Sequence, residues 1–185
     1  MSAGRVLFLA PSAYTLSGLA NWLDYLLPGL EGRGWQVTVG LVSGPNHHRP
    51  EAYLAAHPSD RWLPVHTDTC TPEGRRRAVV RAIDAVRSDV VVSVNIPDAY
   101  AAVASLRARG RPLPRVVMTL HGIQGDLTAD AKRYRDTLDA VVATNRLAMA
   151  LAAEASGLGE RTLYVPYGVA TVERPAAAGP VAAGR

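Results

Sequence analysis

Apolar residues along the chain fall into two alternating textures. Short runs such as Val90-Val91-Val92-Ser93-Val94 are apolar almost throughout. A strand with one wet face would alternate polar and apolar positions, so these runs read as strands covered on both faces. On this pattern strands are predicted at residues 5–10, 36–42, 62–66, 90–94, 115–120, 140–143 and 162–165. Longer segments between them, at 19–33, 72–87, 99–109, 129–138 and 146–156, carry helical spacing. In the first of these, Leu19, Leu23, Leu26, Leu27 and Leu30 recur at three- and four-residue intervals, which gives the helix one buried face, and Gly32 and Gly34 end it. Alternation of this kind predicts an α/β fold: a doubly wound, mostly parallel, Rossmann-like sheet of about seven strands with helices on both faces.

The texture changes near the end. Arg174-Pro-Ala-Ala-Ala-Gly-Pro-Val-Ala-Ala-Gly-Arg185 has no polar/apolar period and reads as a linker. The expected organisation is one domain over residues 1–171 and a linker over 172–185, with the natural chain continuing beyond it; a frayed C-terminus is the lesser alternative. At 185 residues the chain is long enough for one domain with a full core and short for two.

Composition narrows the function classes. With 20 Lys+Arg against 16 Asp+Glu the net charge is +4, too little and too dispersed for a nucleic-acid footprint. The only cationic run, Arg75-Arg76-Arg77, reads as a solvated helix start; a peripheral contact with anionic lipid or phosphate is the lesser alternative. Cys70 is the only cysteine, so no internal disulfide forms and a reducing, cytoplasmic setting is expected. It sits in a loop without His or Cys at metal spacing. No signal-peptide run or membrane-length apolar stretch is present in the sequence.

Two strand ends carry candidate chemistry. Arg115-Val-Val-Met-Thr-Leu-His-Gly122 places His121 and a permissive glycine, Gly122, at the C-terminal end of a strand, where ligands bind in open α/β sheets. A neutral imidazole there can donate to and accept from sugar hydroxyls; a cap on the following loop is the structural alternative. The first strand is followed by Pro11-Ser-Ala-Tyr-Thr-Leu-Ser17-Gly18 and a helix. Gly18 permits close backbone approach and the helix N-terminus favours phosphate, although on local grounds Ser17 reads first as an N-cap. The loop lacks the glycine-rich dinucleotide fingerprint, which disfavours a nicotinamide enzyme. Asn95 and Asp98 follow the fourth strand. Asp98 can act as a base or hold an acceptor hydroxyl, or it can belong to a helix start after Pro97. His47 and His48 lack a third ligand at suitable spacing and read as surface residues. Trp22, Trp35 and Trp62 are expected to pack in or against the core, with Trp22 and Tyr25 as candidates for a cleft rim. Thr144-Asn145 reads as a helix cap.

With these residues in place the chain resembles the N-terminal domain of a GT-B glycosyltransferase of family 4, the group 1 enzymes. The resemblance rests on Gly32-Arg-Gly-Trp-Gln-Val-Thr-Val39, Val116-Val-Met-Thr-Leu-His-Gly122, Leu138-Asp-Ala-Val-Val-Ala-Thr144 and Leu163-Tyr-Val-Pro-Tyr-Gly-Val169, in order over residues 4–170. It implies transfer of a sugar, with retention of configuration, from a nucleotide-sugar donor to an acceptor. It also implies that this half is the acceptor side, that an absent C-terminal domain binds most of the donor, and that no metal or other cofactor is needed. By position, His121 matches the histidine that contacts the donor sugar, and Ser17, Gly18 and Gly122 face the donor phosphates. Asn95, Asp98 and Tyr14 fall on the acceptor side, and Tyr167 and Gly168 lie near the interdomain hinge. The chain departs from the pattern at three places: Ser17 stands for a glycine, Trp35 for a histidine, and Tyr167 and Ala170 for an Asn and an Asp. The resemblance implies that this half alone does not turn over. Two other classes remain open: a sugar-nucleotide epimerase with the same twin-domain cleft, and a non-catalytic α/β module that binds a small ligand.

Overall fold

The computed structural model of the chain describes residues 4–11, 18–43, 54–55, 61–67 and 69–168. Within them, seven strands form one sheet: β1 (Gly4–Pro11), β2 (Trp35–Val42), β3 (Trp62–Val65), β4 (Val90–Val94), β5 (Arg115–Leu120), β6 (Ala140–Ala143) and β7 (Thr162–Tyr164). Their order is β3-β2-β1-β4-β5-β6-β7, and every neighbouring pair is parallel. The chain winds outward from β1 to β3, then crosses back to β4 and winds the other way. Strand order therefore reverses between β1 and β4, which is the switch point where such sheets bind ligands.

The helices are α1 (Gly18–Glu31), α2 (Pro72–Val86), α3 (Pro97–Ala108), α4 (Gly125–Arg133) and α5 (Arg146–Ser156). Side chains alternate across a strand, and the parallel ladders align them into two faces. Leu7, Leu9, Val91, Val116, Met118, Leu120 and Val141 form one face, buried under apolar residues of α2 through α5. Val6, Phe8, Val37, Val39, Leu41, Val92 and Val94 form the other and pack on Trp22, Leu23 and Leu27 of α1. Right-handed crossovers explain the division: reversing the winding direction moves the connecting helix to the opposite face. The second face over β5 to β7 accordingly has no helix on it among the described residues, and Leu163 and Val165 remain exposed there.

Local chemistry sets the element ends. Thr71 caps α2 by accepting from the Gly74 N–H at 3.1 Å, with Pro72 at the first helical position. Gly34, at φ +86°, turns the chain from α1 into β2, a conformation that disfavours any side chain. At the N-terminal edge of the sheet, Asp89 accepts from the Arg5 N–H at 2.8 Å and Asp139 from the Val116 N–H at 2.8 Å. These carboxylates stitch strand starts together.

β4, β5, β6 and α5 have the expected bounds, and α1 stops at Glu31, two residues short of the expectation. The fourth helix differs most: 129–138 was the expected span and Gly125–Arg133 is observed. Gly125 and Asp126 look like loop residues, but the Asp126 carboxylate accepts from the Leu127 N–H at 2.9 Å in the first turn. At the other end the Thr137 and Leu138 N–H groups both turn back to the Tyr134 carbonyl, at 2.7 and 3.1 Å, which closes the helix early.

Gly40 of β2 lies at a closely packed point of the core. A Cβ there would lie 2.8 Å from Leu9, 3.0 Å from Val65 and 3.3 Å from Leu7. Gly40→Val is expected to destabilise the fold by about 1–3 kcal/mol through overpacking, read as a lower urea midpoint; an unchanged midpoint would contradict this packing.

Candidate functional site

The candidate site lies at the C-terminal edge of the sheet, one strand from the switch point. β4 and β5 are held in register through Val94 opposite Thr119. The buried Thr119 hydroxyl donates to the Ser93 carbonyl at 3.0 Å. Two residues on, and so on the same side of the extended chain, His121 places Nε2 3.1 Å from Thr119 Oγ1. Its Nδ1 lies 2.8 Å from the phenol oxygen of Tyr167, which enters from the segment after β7. The edge of Trp22, from α1, meets the imidazole with ring centroids 4.8 Å apart at 74°, and Trp22 rests in turn edge-on against Phe8. The ring is thus fixed on three sides. Burial pushes the His121 pKa down to about 4, so the imidazole is neutral at physiological pH. A neutral imidazole in a half-buried crevice can exchange hydrogen bonds with hydroxyls but carries no charge for an anion.

Below this point, between α1 and the sheet, lies a cavity of about 320 Å³ with an apolar wall that includes Phe8, Trp22, Val92, Val142 and Val165. Thr119 touches it from the sheet. A groove of about 400 Å³ beside it is walled by Trp22, Tyr25, Arg33 and Gly168. Tyr25 stands exposed at its rim, as the sequence suggested, whereas Trp35 and Trp62 pack partly buried against the core under α1.

The other expected residues are placed unevenly. Among the described residues, a Cβ at Gly18 would meet nothing within 4 Å, and one at Gly122 only Gln124 at 3.9 Å. Ser17 and Tyr14 lie outside the described residues, as do His47 and His48. Asn95 sits at the end of β4 with φ +55°, and its Oδ1 is buried without a hydrogen-bond partner among the described residues. The turn that holds it is tied by Ser93, whose hydroxyl donates to the Ile96 carbonyl at 2.8 Å.

Asp98, at the start of α3, is held by Arg75 of α2, Nε to Oδ2 2.7 Å, and both side chains are largely covered. Arg75 also donates to the Cys70 carbonyl at 2.6 Å. The expected solvated run of arginines is therefore corrected at Arg75, which is a packed tether; Arg76 and Arg77 both pair with Glu73. Cys70 is exposed. Asn145 caps α5 by accepting from the Ala148 N–H at 2.7 Å, while Thr144 donates to the Leu120 carbonyl at 3.2 Å.

Thr119 and the Tyr167 contact were not singled out as site features from sequence. Thr119 had a usable signal, since positions two apart on a strand share a side; Tyr167, 46 residues from His121, had none. Among the described residues no three His, Cys, Asp or Glu side chains group closely enough to hold a metal ion, and no helix is long and apolar enough to cross a membrane.

A parallel, doubly wound sheet of this order defines an α/β domain of the Rossmann-like kind. The family model for Glycosyltransferase Family 4 matches residues 16–173, and the chain belongs to that family. Its fold is that of the N-terminal domain of a GT-B glycosyltransferase. Among solved structures it is similar to the HepE protein of Anabaena in complex with UDP and glucose (18% identity, TM-score 0.62), covering 90% of this chain and 45% of that one. It is also similar to the lipopolysaccharide outer core galactosyltransferase WaaB (10% identity, TM-score 0.65), with 91% and 47% covered. A third likeness is to the UDP-GlcNAc 2-epimerase of Neisseria meningitidis bound to UDP-GlcNAc (11% identity, TM-score 0.57), with 86% and 45% covered. At these identities the likeness establishes the fold. The chain spans less than half the length of each of these structures. No curated protein sequence matches it.

Burial of neutral His121 links stability to pH. Its folded pKa of about 4 lies below the ordinary value of 6.5, so between these values the unfolded chain binds the extra proton. The contribution is full above pH 6.5 and is lost as pH falls towards 4. At 1.36 kcal/mol per pKa unit it is on the order of 3 kcal/mol. Urea unfolding of the wild type and His121→Gln should show a stability difference that shrinks across this window, and a constant difference would contradict the buried, neutral state.

Proposed function

We propose that this chain is the acceptor-side half of a retaining hexosyltransferase that moves a sugar from a nucleotide-sugar donor to an acceptor. The observation that carries the reading is the neutral, three-sided seat of His121 at the C-terminal edge, inside the span matched by Glycosyltransferase Family 4. His121 contacts the donor sugar. Ser17, Gly18 and Gly122 face its phosphates, where the α1 N-terminus and a backbone at Gly18 that is open among the described residues suit an anion. On the acceptor side, the Asn95 Oδ1, without a hydrogen-bond partner among the described residues, accepts from a hydroxyl, and Tyr14 is assigned to the same side. Asp98, already held by Arg75, forms part of the wall rather than a free base. Tyr167 and Gly168 lead towards the hinge, and residues 172–185 towards a second domain that binds most of the donor.

The UDP and glucose bound by HepE support a nucleotide-sugar donor, and the share of HepE left uncovered supports a second half. On this reading residues 1–185 alone do not turn over, the enzyme works in the cytoplasm, and no metal takes part. Rate acceleration then rests on positioning the two substrates and on stabilising the departing diphosphate. Epimerisation of a sugar nucleotide is the second reading, supported by the epimerase fold match.

The test uses the protein expressed from its complete reading frame, with UDP-glucose and other nucleotide sugars screened for nucleotide release in the presence of acceptors. Transfer is expected, and His121→Ala should lower kcat by roughly 100-fold or more, the scale of a lost transition-state contact. Undiminished transfer in that variant removes His121 from the site. Interconversion of the sugar nucleotide without transfer replaces the first reading with the second.

A further inference from the structure

We propose that Thr119 locks His121 as its Nε2–H tautomer, so that the crevice meets a hydrogen-bond acceptor at Nδ1, occupied in the free protein by the Tyr167 phenol and in the complex by a hydroxyl of the sugar. The ligand half of this inference rests on the glycosyl-transfer reading; the tautomer half stands without it.

The tautomer follows from counting hydrogens. Thr119 Oγ1 carries one hydrogen, and the Ser93 carbonyl 3.0 Å away can only accept, so that hydrogen is already committed. Thr119 Oγ1 can then meet Nε2, at 3.1 Å, only as an acceptor, which puts the imidazole proton on Nε2. The neutral ring has one proton, so Nδ1 presents a lone pair. Tyr167 is 2.8 Å from it and is the partner able to donate. The Ser93 carbonyl thus dictates, through one threonine, which end of a histidine 28 positions further on faces the crevice.

The polarity of that lone pair selects the ligand. An oxyanion opposite Nδ1 would meet lone pair with lone pair, and burial disfavours the extra proton that would turn repulsion into attraction. A hydroxyl has the hydrogen the site lacks. Tyr167 shows the match, since its phenol is an internal hydroxyl already seated there. The Tyr167 side is also the side that can open: Trp22 and Thr119 are buried, whereas Tyr167 is 42% exposed and its segment is anchored to the sheet through the Val165 N–H, 2.9 Å from the Ala143 carbonyl. His121 therefore exchanges one hydroxyl for another without changing its protonation, and Tyr167 is a specificity residue that any weaker donor fails to displace.

Side-chain nitrogen NMR of the histidines in the 185-residue chain tests this without any assay of transfer. In the wild type, His121 is expected to show a protonated Nε2 and an unprotonated Nδ1. Thr119→Ser should keep that pattern and Thr119→Val should lose it, with the proton redistributed towards Nδ1. Tyr167→Phe should keep the tautomer while the Nδ1 resonance moves to its unbonded position. A protonated Nδ1 or a fast-exchanging mixture in the wild type overturns the tautomer. If Thr119→Val fails to fold, Tyr167→Phe still decides: an unmoved Nδ1 resonance overturns the Tyr167 contact. For the ligand half, measured in the protein expressed from its complete reading frame, UDP-glucose should perturb Nδ1 and inorganic phosphate should not. A response to phosphate, or to neither probe, overturns the sugar-hydroxyl assignment. Absence of sugar transfer in the complete enzyme, with the tautomer as expected, would instead count against the glycosyltransferase reading alone.

Discussion

The arrangement at the crevice depends on the register of β4 against β5. Parallel ladders fix where each strand ends relative to its neighbours, and pairing Val94 with Thr119 brings the Thr119 hydroxyl to the Ser93 carbonyl. Shifting β5 by one residue would turn Thr119 to the other face of the sheet and put an apolar side chain in its place. His121 would then lose its partner at Nε2. Ser93 serves both sides of this point, because its hydroxyl also closes the turn that carries Asn95 and starts α3. One buried serine and one buried threonine therefore join the strand pairing to the polar edge of the site.

The two-sided packing explains why the histidine is neutral. Reversal of winding at the switch point puts α2 through α5 on one face and leaves α1 to cover β1 and its neighbours on the other. Trp22 of α1 spans the boundary, resting on Phe8 and closing over His121. The same helix that completes the core thus excludes water from the imidazole, and burial favours the uncharged form. Asp89 and Asp139 work at the far edge of the sheet, and Arg75 with Asp98 ties α2 to α3 on the opposite face.

Much of this was legible in the sequence where cause and effect are local. The near-continuous apolar runs at β4 and β5 follow directly from burial on both faces, and the strand-end position of His121 follows from where β5 stops. The start of α4 is not legible because Gly125 and Asp126 have the composition of a loop, while the Asp126 carboxylate satisfies one exposed N–H of the first turn, that of Leu127. The site was legible only in part, for a different reason. Tyr167 stands out in the sequence as a hinge-proximal departure from a family pattern, and its contact with His121 spans 46 positions. Arg75 looked like one of three equivalent arginines until α3 brought Asp98 to it. Pairings of this kind depend on how helices and strands pack, and no period or short motif encodes them.

The account is tested most directly by a crystal structure of the complete protein with UDP-glucose, inspected at Nδ1 of His121. A sugar hydroxyl within hydrogen-bond distance of that nitrogen, with the Tyr167 phenol displaced and Nε2 still on Thr119, is the predicted result. A phosphate oxygen opposite Nδ1, or a donor bound away from this edge with Tyr167 in place, would contradict it.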